Sequence, residues 1–537
     1  MLRQKERKPL QTALRWAALA AAFALLCCYW QFWLPNQLDA DMSSEQILAN
    51  LLAKSPGLPI FSAGWYYSTE LRALNTQLVM APLFRLLGGA DWHLVRVAGS
   101  VVLVLLYLAA YLSFARSLRL RSGGVYGAAL LLLPFGALYR QYVLGGLYYI
   151  PHLAINFACV ACLLCAAHSK GVRRAAAVAG LCLLSLLAGV GGPRQLVILQ
   201  IPLTLAVLAL AVADRVPGRG LRHMLRGPRG PLLGTMVLAD AAGAAGYAVN
   251  ALVLSGQYAF QDQSYIAYGN LTFERLEQLL NGLLAAFGWQ KGAAVSPASP
   301  FNLLVLVLLG FSFWFAWRLL RGRGRYPLEH RLLGAFYCCL AVCFLFLYAL
   351  TNMGHSDRYL LPLSVLFIPL AEIYFTDRQA ETGVKTSVLA GALLLALALR
   401  GGAEYGGAAQ EENPNAGSTQ FLLESGCTQG YASFWDGNIM TELSNGQIEV
   451  WSLAQNNELE LRRWLQPKEH LTSAPQGRIF FVISKWEEWG ERQPTAQGLA
   501  DAMPEEALAY EDGYHKIYLF ESDAAMHEAC GWAMPVQ

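Results

Sequence analysis

The chain has 537 residues, of which 55% are hydrophobic and only 14% charged, with a net charge of +3 and a mean hydropathy of +0.36. Soluble domains carry roughly 25% charged residues, so the composition excludes a soluble globular protein and defines a multi-pass membrane protein. The small net charge is spread over short loops and forms no basic face, so nucleic acid is not an expected partner.

The first apolar run, "TALRWAALAAAFALLCCYWQFWL", follows a basic stub with Arg3, Lys5, Arg7 and Lys8. It is longer than a signal-peptide core and is followed by aromatics rather than a small-residue cleavage site, so it reads as a retained anchor. At about 17–25 apolar residues per crossing, spans are expected near 12–34, 94–115, 124–140, 148–167, 175–191, 195–213, 232–254, 300–319, 332–351, 359–376 and 386–400, about eleven in all. Basic loops such as "RSLRLR", "SKGVRR" and "RGRGR" alternate with gaps holding single basic residues, among them Arg140, Arg194 and Arg358. By the positive-inside rule the N-terminus is then cytoplasmic and the C-terminal part extracytoplasmic.

Three longer pieces fall outside: residues 35–93, residues 255–299 and a tail. The first opens on "LDADMSSEQ", which sets Asp39, Asp41 and Glu45 beside the membrane. "SSEQILANLLAK" and "TELRALNTQLVMAPLFRLLG" both show helical apolar spacing, so two interfacial helices are expected, the second carrying Glu70 and Arg72. If the first helix begins at Asp41 or Met42, Asp41 and Glu45 share a face and Asp39 points elsewhere.

In the 255–299 loop an amphipathic helix is expected from about 272 to 288, and Asp262 and Gln263 are candidates to face a pocket. "GVGGPRQL" puts Arg194 at the head of a helix on the side where cations are scarce, a functional candidate by its cost near lipid. "GHSDRY" gathers His355, Asp357 and Arg358 on one turn.

Residues 1–400 therefore read as the membrane domain, 401–419 as a flexible linker rich in Gly and Ala, and 420–537 as a small exterior α/β domain. "IEVWSL" and "RIFFVIS" are its buried strands, and "NELELRRWLQ" has the spacing of an amphipathic helix. Cys427 and Cys530 are the two exterior cysteines and so the pair available for one disulfide, whereas Cys159, Cys162 and Cys165 sit in an apolar run as small helix residues.

Together these features resemble the GT-C membrane glycosyltransferases: an all-α polytopic membrane domain, an acidic motif opening a first exterior loop of interfacial helices, "HSDRYLLPL" with its RY-x-x-P pattern, and a terminal α/β domain. The tail segment "GYASFWDGNIMTELSNG" is similar to that of uncharacterised bacterial members, which places the chain in a bacterial cell membrane. The resemblance implies transfer of a sugar from a polyprenyl-phosphate donor to an extracytoplasmic acceptor: an envelope polymer, a lipid or a protein. That chemistry needs a carboxylate base and cations for the departing phosphate. Asp41 is the expected base with Asp39 as alternative, and Glu45, Glu70, Arg72, Arg194, His355, Asp357 and Arg358 are the expected substrate-binding residues. The one cofactor to expect is a divalent cation, Mg2+ or Mn2+, though no metal ligand set can be read from the spacing. The competing readings are a transporter or flippase for lipid-linked saccharides, which would centre on Asp240 within a span, and a membrane-anchored binding or sensory protein acting through its tail.

Overall fold

A computed structural model describes residues 2–69, 71–89, 91–120, 122–214, 229–260, 268–269, 271–292, 300–354, 356–382, 384–454, 459–485, 499 and 502–532. Among them nine helices are long and apolar enough to cross a membrane: Thr12–Gln37, Trp92–Ser117, Ile150–His168, Gly171–Val190, Leu196–Ala213, Gly230–Gly256, Pro300–Arg321, Leu328–Leu350 and Asp357–Phe375. The expected span at 386–400 lies inside a further helix, Val384–Ala408.

The expected span at 124–140 is not one helix. Val125–Leu131 stops before Pro134, and a short turn of helix, Ala137–Tyr139, resumes after Gly136. Proline removes a backbone donor, and a side chain on Gly136 would come within 2.5 Å of the Gly288 Cα, so backbone packing takes the place of a helix there. The segment still runs from one side of the bundle to the other: Gly124 lies against Ala115, and Tyr142 lies under Arg358.

Helices Gly171–Val190 and Gly230–Leu252 cross so closely that a side chain on Gly189 would meet the Gly243 carbonyl and one on Gly246 the Leu186 carbonyl. Small residues permit such backbone approach where lipid supplies no hydrophobic drive. Ion clusters tie the helix ends on one side of the bundle: Glu329 meets Arg119 and His168, each at 3.3 Å, and Asp214 meets Arg229 at 2.7 Å and Arg331 at 2.8 Å.

The other side carries the long loops and the C-terminal domain. Helix Ala40–Lys54 forms as expected, but its partner is shorter, Gln77–Leu86. Glu45 explains the difference, because it accepts bonds from Asn75 at 2.9 Å and Thr76 at 2.5 Å and holds that stretch out of the helix. The helix expected at 272–288 spans Phe273–Ala286, capped by the Thr272 hydroxyl, whereas Asp262 and Gln263 lie outside the described residues. Strand Trp65–Tyr67 pairs with Ala259–Phe260 on one edge and Gln466–Pro467 on the other, joining three remote segments.

The C-terminal domain has one five-stranded sheet in the order Glu449–Leu453, Gln429–Ser433, Ile479–Ser484, His515–Phe520 and Leu508–Glu511. "IFFVIS" is buried throughout because both faces of this central strand are covered. Two expectations for this region fail. The described part of "NELELRRWLQ" is irregular rather than helical, with Leu465 at a φ of 46°, and ends in strand Gln466–Pro467, since its backbone is taken by Ser452 and by the small sheet. Cys427 and Cys530 are both free: the Cys427 thiol donates to the Arg478 carbonyl at 3.2 Å, and the Cys530 sulfur sits 3.9 Å from that of Met503.

The stretch read as a flexible linker is helical to Ala408 and fastened to the bundle. Tyr405 is buried and donates to the Leu132 carbonyl at 2.9 Å, Arg140 lies 3.6 Å from Glu404 and 3.3 Å from Glu411, and Asn413 donates to the Pro35 carbonyl at 2.8 Å.

Candidate active site

Asp39 and Asp41 divide their tasks. Asp39 is the N-cap of helix Ala40–Lys54, its Oδ1 accepting the Met42 N–H at 2.8 Å, and its Oδ2 accepts from Gln141 at 3.2 Å. Asp41, in the first turn, instead faces Arg358, whose Nη1 lies 3.1 Å from Oδ2. The two side chains of this pair are 26% and 28% exposed, so a substrate can reach them.

Burial, and next the neighbouring Asp41 charge, push the Asp39 carboxyl up to about 7, against the opposing pull of the Met42 and Gln141 bonds. A folded pKa above the unfolded value of about 4 means that the stability linked to this group is complete below pH 4 and is lost as pH rises through 7. The thermal unfolding midpoint should therefore fall across this window in the wild type. Asp39→Asn keeps a cap oxygen for Met42 and should flatten the fall; an unchanged slope would assign the titration to another group.

Arg358 and Arg194 come from different helices and meet around one ring. Arg358 stands on the 3-10 turn Asp357–Leu360, which opens the helix Leu361–Thr382. Its guanidinium lies 5.2 Å from the Tyr142 ring and 5.9 Å from Tyr359. Arg194 lies 4.9 Å from the other partner ring, Tyr359, and 5.7 Å from Tyr149. Asp41, Arg358 and Arg194 thus converge, with tyrosines holding the cations by their faces.

The remaining candidates are more scattered. Glu45 shares a helix face with Asp41 but spends its oxygens on Asn75, Thr76 and, at 3.6 Å, Arg72. Arg72 therefore stands in the loop beside Glu45, with Gly191 of the glycine-rich turn against its backbone. Asp357 opens the Arg358 turn. Glu70 and His355 lie outside the described residues. Arg140 is engaged with Glu404 and Glu411, and Asp240 accepts from Thr204 at 2.7 Å within the bundle, apart from this cluster.

Several residues at the site were not singled out from sequence. Arg462, from the C-terminal domain, lies 4.7 Å from the Phe434 ring and 5.8 Å from Trp435. Burial lowers its pKa, and the nearby Asp41 charge works against that. Gln141, Tyr142, Tyr148 and Tyr149 come from the tyrosine-rich run after the broken span, which is the one signal the sequence offered for them. The "FWDG" segment turns inward: Asp436 accepts from Ser433 at 2.6 Å and meets His515 at 3.2 Å, while Glu442 pairs with Arg96 and Asn445 accepts from the Trp92 N–H at 2.8 Å. The Glu442 and Asn445 contacts dock the domain onto the membrane part, whereas those of Asp436 stay within the domain.

Among the described residues no three His, Cys, Asp or Glu side chains come together as a metal site. The Asp41 carboxylate pairs with Arg358 and lies within range of the Arg462 charge, cations suited to an anion.

No family model and no curated protein matches the sequence. Solved structures do. ArnT from Cupriavidus metallidurans, bound to undecaprenyl phosphate, superposes over 95% of this chain and 98% of its own, with a TM-score of 0.55 at 13% identity. The oligosaccharyltransferase of Archaeoglobus fulgidus, tethered to an acceptor peptide, covers 82% of this chain and 64% of its own, at a TM-score of 0.45 and 12% identity. The chain is a multi-pass membrane protein with a GT-C-like fold: a helical membrane domain, interfacial helices and a small strand-containing C-terminal domain.

Proposed function

We propose that this protein is a membrane glycosyltransferase that moves a sugar from a polyprenyl-phosphate donor to a hydroxyl of an extracytoplasmic envelope polymer, lipid or protein. The observation that carries the reading is the Asp41–Arg358 pair, reachable from outside and flanked by Arg194 across the Tyr359 ring. One carboxylate and two cations are what the reaction needs. In the resting protein Arg358 neutralises Asp41. A donor phosphate competes for Arg358 and leaves Asp41 free to take the acceptor proton. The acceptor oxygen then bonds to the anomeric carbon, the bond from that carbon to the phosphate oxygen breaks, and polyprenyl phosphate departs with its charge held by Arg358 and Arg194.

The membrane part supplies a place for the lipid. Further along the helix that follows Arg358, a small cavity is lined by Leu130, Leu133, Phe287, Leu308, Phe367 and Leu397, with Ser364 as a polar member. Its mostly apolar lining matches part of a prenyl chain rather than a sugar. The ArnT structure bound to undecaprenyl phosphate supports such a lipid by analogy of fold. The orientation that puts the C-terminal domain outside rests on the basic loops, and it sets the reaction at the extracytoplasmic face.

The test uses purified full-length protein in nanodiscs with a polyprenyl-phosphate hexose labelled in the sugar and a crude envelope acceptor fraction. Label is expected to leave the lipid for the acceptor. If the protein neither binds polyprenyl phosphate nor moves label, this function is wrong.

A further inference from the structure

Behind the two arginines, three buried polar side chains carry hydrogen-bonding atoms left unmet among the described residues. His152, Asn156 and Gln195 are 4%, 3% and 3% exposed. Both ring nitrogens of His152, both amide atoms of the Asn156 side chain and the Oε1 of Gln195 have no hydrogen-bond partner among the described residues. Gln195 donates to the His152 carbonyl at 3.1 Å, which keeps the two residues adjacent. Asn156 follows His152 by one turn of helix Ile150–His168, so both look out from one face.

This wall is continuous with the reacting groups. The Tyr149 ring lies 5.9 Å from the His152 ring and 5.7 Å from the Arg194 guanidinium. The Tyr148 hydroxyl, also buried and without a partner among the described residues, lies close enough to Asp39, Asp41 and Arg358 to feel their charges. Native proteins rarely leave buried polar atoms unmet, because each one costs stability. Four such residues beside the site hold hydrogen-bonding capacity that the ligand-free protein leaves unused, of the kind that hydroxyl groups would meet. A prenyl chain would satisfy none of them, and the phosphate is already provided for by Arg358 and Arg194.

We propose that His152, Asn156 and Gln195, with Tyr148 at the entrance, form the subsite that holds the sugar ring of the donor; this rests on the glycosyltransferase reading above. The charged groups nearest His152 are Arg194, across the Tyr149 ring, and Arg72, which is paired with Glu45 at 3.6 Å; the carboxylates Asp39 and Asp41 lie at the Tyr148 end. An ammonium group set against His152 meets Arg194 across the Tyr149 ring and is disfavoured there, so the subsite favours a neutral hexose recognised through its hydroxyls.

The test measures binding to purified full-length protein of three probes: a short-chain polyprenyl monophosphate, the same lipid carrying glucose, and the same lipid carrying glucosamine. The glucosyl lipid is expected to bind on the order of tenfold tighter than the bare lipid, from a few hydrogen bonds of modest net strength, and the glucosamine lipid no tighter than the bare one. His152→Phe and Asn156→Leu should each erase that preference, keep bare-lipid affinity within about twofold, and raise the unfolding midpoint of the ligand-free protein by removing unmet polar atoms. Asn156→Ser, smaller and still polar, provides the check should the leucine variant not fold. Equal wild-type affinity for bare and glucosyl lipid would overturn the subsite, and a wild-type preference for the glucosamine lipid would overturn its selection of a neutral sugar. So would a glucosyl preference that survives the variants, or bare and glucosyl binding falling together in all three, which would make these residues structural. If the wild type binds no polyprenyl phosphate at all, the glycosyltransferase reading fails and the subsite with it.

Discussion

Asp41→Asn is expected to lower sugar transfer by about 10²- to 10⁴-fold, the range for removing a positioned general base, while binding of polyprenyl phosphate persists. The asparagine is nearly the same shape but cannot take a proton. It also releases Arg358, which lies 3.1 Å from the carboxylate, so the bare lipid should bind tighter rather than weaker. The combination of lost turnover with kept or improved donor binding separates a base from a merely structural acid. Asp39→Asn is the control. Its cap bond to Met42 and its bond from Gln141 assign it to holding the helix, so transfer should fall far less. If Asp39→Asn removed transfer and Asp41→Asn did not, the roles of the two aspartates would be reversed.

Breaking the clamp between membrane part and C-terminal domain should have the largest effect on stability. Arg96 lies near the start of a membrane helix and meets Glu442 through two bonds, at 2.5 and 2.7 Å, with the side chains only 3% and 5% exposed. Its remaining reach goes to the Met42 carbonyl at 3.1 Å, one residue beyond Asp41. Glu442→Ala would leave a buried guanidinium uncompensated, at a cost of about 3–5 kcal/mol. The thermal midpoint in detergent should drop accordingly, and transfer should fall with it because the Asp41 turn loses its support. A double variant, Arg96→Met with Glu442→Leu, should recover most of the stability, since a well-packed apolar pair is often as good as a buried ion pair. If Glu442→Ala unfolds no earlier than wild type, the pair does not hold the domain.

The spans and the chemistry of the first loop were legible because both are local properties. A run of apolar residues of the required length is a membrane helix almost whatever surrounds it, and Asp39, Asp41 and Arg358 are marked by standing charged at the ends of such runs. The misreadings have a common cause. The segment 124–140 is apolar enough for a span, but the packing of Gly136 on Gly288 breaks it. The stretch 401–408 is rich enough in Gly for a hinge, but Tyr405 and its contacts with the bundle keep it helical. The second interfacial helix loses its first turns to Glu45. In each case a tertiary partner outweighed a local preference of comparable size.

Composition and periodicity alone determined that this is a multi-pass membrane protein with long loops on one side, and that its acids and arginines gather at the rim of the bundle. Which aspartate meets an arginine, that Arg194 and Arg358 share the Tyr359 ring, that Arg462 arrives from a remote domain, and that His152 and Asn156 lie beside the site with no hydrogen-bond partner for their side chains among the described residues were decided only by the tertiary structure. The physical reason is distance along the chain: hydropathy is summed over neighbouring residues, whereas a site is made by side chains hundreds of residues apart that packing alone brings within bonding range.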